Sequence, residues 1–175
     1  MKSVVIYKSK TGFTRKYAEW IAEELSADLF EASKININMI CKYDTIIYGG
    51  SLYAVGIIGV KLITENINKF EDKKVVVFAT GASPLRDEVI SEIINKNFTF
   101  DQQKYIKFFY LRGGFNYSKL NFFDKFLMNL LKWKIKIKKH EELSPDEIGM
   151  LNIYDKPVDF TEKKYINQII TYVSS

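Results

Sequence analysis

Cysteine and histidine are almost absent from this chain, which has one of each, Cys41 and His140. One cysteine cannot form an internal disulfide, and one cysteine with one histidine is too small a set for the usual zinc or iron–sulfur sites. We therefore expect Cys41 to be an ordinary packing residue, His140 to be solvated, and no metal site to be present.

Long apolar runs and linker-like stretches are also scarce. The apolar run at residues 4–7 is too short for a signal peptide, and no segment approaches the roughly 20 apolar residues that cross a bilayer. The chain has only three prolines and nine glycines, without a Gly/Ser-rich stretch. The sequence predicts a cytoplasmic protein with a single domain over residues 1–175, carrying a segment inserted at about residues 113–158.

The excess of positive charge is confined to one part of the chain. The net charge is +5, but residues 115–139 hold seven lysines and one aspartate, a net +6, so the rest of the molecule carries −1. Because the rest of the molecule is close to neutral, its charge does not favour binding of nucleic acid, and we expect no nucleic-acid partner.

Short β-branched apolar runs alternate with stretches of helical periodicity, which is typical of βαβ units. We predict five parallel strands in a doubly wound α/β sheet, at residues 3–8, 27–32, 45–50, 74–80 and 105–112. Helices are expected at about residues 14–25 and 58–70, with a short, irregular helix at 33–42.

Two further helices are expected from capping signals. Ser83 followed by Pro84 predicts a helix start, because a hydroxyl residue caps and proline suits the first helical position. Asp159 with Glu162 three residues later predicts the start of the last helix through a capping box.

Ligands of doubly wound sheets bind beyond the carboxyl ends of the strands, so the loops after strands 1, 3 and 4 are the candidate site. The first loop precedes a helix and combines hydroxyls, a lysine and a glycine. Backbone N–H groups at a helix N-terminus suit a phosphate dianion, although the same hydroxyls equally suit capping the helix. Its candidate residues are Ser9, Lys10, Thr11, Gly12, Phe13 and Thr14.

The second and third loops offer small residues that allow a flat ring to lie against the backbone. Tyr53 can stack on such a ring, or it can be a plain surface tyrosine, and the third loop can be an ordinary strand-to-helix turn. The candidates are Ser51, Leu52, Tyr53 and Ala54 in the second loop, and Thr80, Gly81, Ala82 and Ser83 in the third.

Other nucleotide sites on this class of fold do not match. A P-loop requires G-x-x-x-x-G-K-[ST] and a dinucleotide fingerprint requires G-x-G-x-x-G, whereas the first loop contains only Gly12. A receiver domain requires a phosphoacceptor aspartate after strand 3, where this chain has Gly49, Gly50 and Ser51.

The chain resembles the flavodoxin family in its Thr-Gly-x-Thr loop opening the first helix, followed by small-residue loops after strands 3 and 4. It is more narrowly similar to the flavodoxin-domain branch that includes bacterial menaquinone-dependent protoporphyrinogen oxidase. The matching segments are residues 9–25, 112–133 and 156–169.

This resemblance implies an FMN cofactor, with its phosphate held by residues 9–14 and its isoalloxazine surrounded by residues 51–54 and 80–83. Because the third loop contains no aromatic residue, Tyr53 is the expected stacking residue. The implied function is an FMN-dependent oxidoreductase or electron carrier in which no side chain need be catalytic. Two alternatives are a protoporphyrinogen oxidase that passes electrons to a quinone and a non-flavin binding module on the same fold.

The basic segment contains an amphipathic helix, predicted at residues 120–133. One interpretation is an interfacial anchor at the inner face of the membrane or a docking site for a redox partner protein or quinone. The other is that its apolar stripe packs on the domain, and that the alternating lysines at 134–138 form an edge strand protected by charge.

Overall fold

The computed structural model of the protein describes residues 2–84, 86–138, 142–154 and 156–175. Lys139 and His140 lie outside the described residues, and so does the expectation that His140 is solvated. Cys41 is a free thiol that is partly buried against the core, as expected for a packing residue.

The centre of the fold is a sheet of five parallel strands in the order β2-β1-β3-β5-β6, which confirms the predicted α/β class. A short strand, β4, pairs antiparallel with the end of β3, and β7 and β8 form a separate antiparallel pair. The strands are β1 (Ser3–Lys8), β2 (Asp28–Glu31), β3 (Thr45–Tyr53), β4 (Gly56–Ile57), β5 (Lys74–Gly81), β6 (Ile106–Arg112), β7 (Gly114–Phe115) and β8 (Val158–Asp159).

Helices cover both faces of this sheet. They are α1 (Phe13–Leu25), α2 (Ile37–Ile40), α3 (Lys61–Thr64), α4 (Asp87–Asn97), α5 (Phe122–Ile137), α6 (Pro145–Tyr154) and α7 (Asn167–Ser174). Alternate strand residues point to opposite faces. Val5 and Ile47 therefore pack with α1 and α7, while Ile6 and Ile46 pack with α2, α3 and α4.

The strand register places the candidate loops side by side. Lys8 at the end of β1 pairs with Gly50 of β3, and Ser51 pairs with Thr80 of β5. The carboxyl ends of β1, β3 and β5 thus meet at one edge, where ligands of doubly wound sheets bind.

The helix predicted over residues 58–70 is shorter than expected. It consists of α3 and a separate 3-10 turn at Ile67–Lys69. The helix cannot begin at residue 58, because Gly59 has a φ of 75°, which no α-helix accommodates. A Cβ on Gly59 would lie 2.3 Å from the Tyr48 hydroxyl, so glycine is required at this turn.

The predicted starts of α4 and of the last helix are wrong. α4 begins at Asp87, because the Ser83 carbonyl accepts a hydrogen bond from the Tyr110 hydroxyl at 2.7 Å and remains outside the helix. Asp159 lies in β8, and its carboxylate accepts the Thr161 amide and hydroxyl at 2.8 and 2.6 Å instead of capping a helix.

The alternative of an edge strand at residues 134–138 is also wrong, because α5 continues through Ile137. The basic residues Lys134 and Lys136 fall in the last turn of this helix, where positive charge is favourable against the helix dipole. Among the described residues, no helix is both long enough and apolar enough to cross a membrane.

Candidate functional site

The loop between β1 and α1 has the geometry of an anion site. Gly12 adopts a φ of 100°, a left-handed conformation that favours glycine, and its amide donates to the Ser9 hydroxyl at 3.1 Å. No side chain in the described part of the chain caps α1. The first N–H groups of a helix have no partner within the helix, so those of α1 are available to a bound anion.

Thr14 lies beneath this loop and links all three candidate loops. Its hydroxyl hydrogen-bonds to Ser51 at 2.8 Å and to Thr80 at 2.6 Å, and the whole residue is buried. The Ser51 hydroxyl in turn accepts the Lys10 amide at 3.3 Å. In the structure Thr14 thus holds the three loops together, and its role as a phosphate donor stays a prediction.

A cavity of about 430 Å³ opens above these loops, within the range of about 300–1,000 Å³ typical of small-molecule sites. Ten of the predicted site residues line it: Lys10, Thr11, Phe13, Ser51, Leu52, Tyr53, Ala54, Thr80, Gly81 and Ala82. Ser83 lines an adjacent cleft of about 300 Å³, and Ser9, Gly12 and Thr14 shape the first loop without lining either space.

The third loop approaches its neighbours closely at Gly81. A Cβ there would lie 2.7 Å from the Tyr110 hydroxyl and 3.1 Å from a methyl of Leu52. The Gly81 carbonyl accepts the Gly113 amide at 2.7 Å, and burial raises the pKa of Tyr110 to about 12. Tyr110 thus stays protonated at physiological pH and holds the loop through Ser83.

A second wall of the cavity comes from the segment between β6 and α7. Its residues are Gly114, Phe115, Asn116, Leu120, Asp124, Leu127, Met128 and Leu131. In α5 the cavity-lining positions 124, 127, 128 and 131 follow helical spacing, so one face of the helix covers the site. This wall is mainly apolar and faces the loops predicted to hold a flat ring.

Asp124 joins α5 to the first loop. Its carboxylate accepts the Lys10 ammonium at 2.6 Å, and the Asp124 side chain is only 7% exposed. The Lys10 nitrogen also lies 4.1 Å from the centre of the Tyr53 ring, a cation–π distance. The predicted stacking residue, the phosphate loop and α5 are therefore connected through one lysine.

Lys119 brings a further positive charge to the first loop. Its ammonium nitrogen lies 3.9 Å from the position that a Cβ on Gly12 would occupy. The lysine-rich composition of residues 115–139 was visible in the sequence, but the return of this segment to the first loop was not.

Tyr17 fixes α1 against the carboxyl end of β6. Its hydroxyl donates to the Arg112 carbonyl at 2.7 Å and accepts the Glu162 amide at 3.3 Å. Burial raises the pKa of Tyr17 well above its usual range. The neutral phenol therefore holds the first turns of α1, and with them the anion-binding loop, in place.

Comparison with known proteins agrees with this geometry, since residues 4–142 match the Flavodoxin domain family. The chain belongs to this family. A 34% identical relative is an uncharacterized protein of Methanocaldococcus jannaschii, aligned over 89 residues that cover 48% of this chain and 57% of that protein. The chain thus spans little more than half the length of that relative.

Solved structures similar to this flavodoxin domain include three with low sequence identity. A flavodoxin from the domain Archaea is 15% identical, with a TM-score of 0.42 over 65% of this chain and 85% of that chain. Flavodoxin 1 of Bacillus cereus is 17% identical, with a TM-score of 0.45 over 64% and 84%. The Trp repressor binding protein of Bacillus subtilis is 17% identical, with a TM-score of 0.46 over 66% and 88%.

The site residues of this flavodoxin domain that the sequence missed lie on α5 and just before it. The helical periodicity of this segment was visible in the sequence, but its apolar side, which includes Leu127 and Leu131, was interpreted as a membrane or partner contact or as general packing. No group of three or more metal-ligating side chains occurs among the residues that the structure describes.

Proposed function

We propose that the protein binds FMN in the cavity between the three loops and α5 and transfers electrons through it. The observation that carries this proposal is the convergence of an anion-suited helix N-terminus, a tyrosine and two small-residue loops on one cavity of suitable size. FMN, when bound, supplies the redox chemistry, since flavins accept and release electrons singly or in pairs.

The chain's own residues bind and orient this cofactor. Backbone N–H groups of the first turn of α1, with Thr11, serve the phosphate, and Lys10 and Lys119 add positive charge nearby. Tyr53 and the backbone at Gly81 and Ala82 flank the ring. Apolar side chains of α5 exclude water from the side opposite the loops.

The test is to purify the protein and identify its cofactor. We expect flavin absorption bands and release of FMN, not FAD, on denaturation. The cofactor-free protein should bind FMN much more tightly than riboflavin, because the phosphate contributes charge-assisted hydrogen bonds of about 1.5–3 kcal/mol each. A protein that takes up neither compound would be a non-flavin binding module.

One observation favours a more specific activity, the transfer of electrons between a porphyrinogen and a quinone. The cavity wall formed by α5 and the residues just before it places Leu120, Leu127 and Leu131 opposite the ring-binding loops, which suits an apolar, flat reaction partner. A soluble redox partner protein is the alternative electron acceptor.

Turnover with protoporphyrinogen and a quinone analogue distinguishes these two routes. Oxidation of the porphyrinogen that requires the quinone supports the enzyme, whereas reduction of a partner protein without porphyrinogen turnover supports an electron carrier. Both outcomes require bound flavin, so the cofactor test precedes them.

A further inference from the structure

The side of α5 that faces away from the cavity carries a continuous apolar surface. Six large side chains there are between 47% and 88% exposed. At about 100° per residue they fall within an arc of about 100° on the helix. This surface, termed the outer face of α5, consists of Phe122, Phe123, Phe126, Leu130, Trp133 and Ile137.

Such a surface is not required by the fold. The residues through which α5 packs on the domain, including the buried Asp124 and Ile135, lie on the opposite side of the helix. Contiguous exposed apolar patches on water-soluble domains usually mark interaction sites. The outer face of α5 therefore indicates a binding surface for a partner outside the domain.

Lysines border this face on both sides. By the same helical geometry, Lys125, Lys132 and Lys136 follow one edge and Lys134 lies at the other. Lys134 and Lys136 are exposed, whereas Lys132 lies 3.8 Å from the Tyr154 ring centre. An apolar strip with three lysines along one edge and Lys134 at the other matches a lipid surface, with acyl chains below the strip and anionic headgroups beside it.

We propose that the outer face of α5 docks on an anionic lipid membrane, with the helix lying in the plane of the interface. The helix has 16 residues and is about 24 Å long, so it is too short to span a hydrocarbon core of about 30 Å. A second copy of the chain is a poorer occupant, because a symmetric contact through this face would bring the two sets of lysines together. The proposal does not depend on flavin binding.

The position of this face gives docking a consequence for the cavity. Leu127 and Leu131 line the cavity and lie on α5 immediately beside the outer face. A membrane bound there places the cavity wall at the lipid surface. An apolar reaction partner dissolved in the bilayer would then have a short route to the site.

The experiment is sedimentation with vesicles of phosphatidylcholine alone and of phosphatidylcholine mixed with phosphatidylglycerol. We expect binding to the mixed vesicles at low salt and its loss as salt is raised. Lys134→Gln with Lys136→Gln should weaken binding about 25-fold, since each lysine near an anionic surface contributes about fivefold. Lys34→Gln with Lys42→Gln, which removes two exposed lysines before β3, is the matched control and should have no effect.

The apolar contribution is tested separately. Phe122→Ser with Phe126→Ser should weaken binding about 100-fold or more, because each phenylalanine contributes about tenfold or more. Phe100→Ser removes an aromatic side chain that is 78% exposed elsewhere and should leave binding unchanged. The substituted positions of α5 are exposed, and circular dichroism checks that each variant keeps the fold.

The depth of Trp133 in the bilayer is an independent test of the docking. In a Trp20→Phe background, lipids brominated on their acyl chains should quench Trp133 emission when vesicles are added. Absence of binding to the mixed vesicles at low salt overturns the proposal. Binding that persists in the α5 variants also overturns it. A protein that binds no vesicles but forms a dimer, which Phe126→Ser dissociates, would show that a second copy of the chain covers the outer face of α5.

Discussion

At the residue scale, Thr14 has a supporting role in the structure that the sequence did not indicate. Its hydroxyl bonds Ser51 and Thr80 below the cavity, so its loss affects the support of the loops. Thr11, which lines the cavity, is the residue positioned to contact a phosphate. No local pattern separates the two threonines, because the contacts of Thr14 lie 37 and 66 residues away.

We expect Thr14→Val to lower the free energy of unfolding by about 1–3 kcal/mol, because Ser51 and Thr80 lose their shared partner.

Thr11→Ala should keep the stability but weaken FMN binding about tenfold, with riboflavin binding unchanged. The substitutions Thr11→Ala and Thr14→Ala together should weaken FMN binding on the order of a hundredfold. Denaturant unfolding and fluorescence titration measure these effects, and unchanged FMN affinity in the double variant would show that the phosphate site is elsewhere.

Asp124 should influence the reduction potential of a bound flavin. Its carboxylate lines the cavity, and a negative charge there opposes the addition of electrons. Asp124→Asn should raise the midpoint potential by tens of millivolts, where about 59 mV corresponds to tenfold in a one-electron equilibrium. Asp159→Asn, which removes the partner of Lys16 outside the cavity, is the control. A potentiometric titration in which both variants shift equally would contradict the prediction.

At the scale of elements, the sequence predicted what depends on local periodicity and missed what depends on distant contacts. β1 has the predicted bounds and α1 begins one residue earlier than expected, since a short β-branched apolar run specifies the strand and an apolar stripe specifies the helix. The predicted helix start at Ser83 is wrong because the Ser83 carbonyl accepts a hydrogen bond from Tyr110, 27 residues away. The predicted helix start at Asp159 is wrong because Asp159 pairs with Gly114 in a β-ladder, which no capping pattern reveals.

The junction between α5 and α6 should be sensitive to acid. Glu147 accepts Lys138 at 2.6 Å and the Ser144 amide at 2.9 Å, and these hydrogen bonds, the one from Lys138 foremost, lower the pKa of Glu147 below its usual value. Because the pKa is lower in the folded protein, this stabilisation is present above the unfolded pKa. It is lost as the pH falls through the folded value.

Hydrogen exchange of the α6 amides measures this effect. Exchange should accelerate, after correction for intrinsic rates, as the pH is lowered through the acid range. In Glu147→Gln the amides should be less protected at neutral pH and should respond less to acid. A variant that responds to acid as the unsubstituted protein does would exclude Glu147 as the group responsible.

At the scale of the whole molecule, the uneven distribution of net charge should affect the reduction potential of a bound flavin. The basic segment carries +6 and the remainder −1, so a reduced, anionic flavin bound here would meet less repulsion than in a strongly acidic flavodoxin. We expect its more negative one-electron potential to lie tens of millivolts above that of acidic flavodoxins, and the difference to shrink with salt. A potential as negative as theirs at low salt would count against this expectation.

The pairing of β7 with β8 has a consequence for how such a chain can gain or lose sequence during evolution. Phe115 lies directly opposite Val158, and Gly114 opposite Asp159, so the two ends of the intervening residues are neighbours in space. A gene that encodes Asn-Gly in place of residues 116–157 would join them through a two-residue hairpin turn, without moving any strand of the parallel sheet. We expect this shortened protein to fold with its five-stranded sheet intact and to bind FMN more weakly, as circular dichroism and titration would measure. If it failed to fold, the present parallel sheet would depend on residues 116–157, and the junction of β7 with β8 would not be a point at which they can be removed.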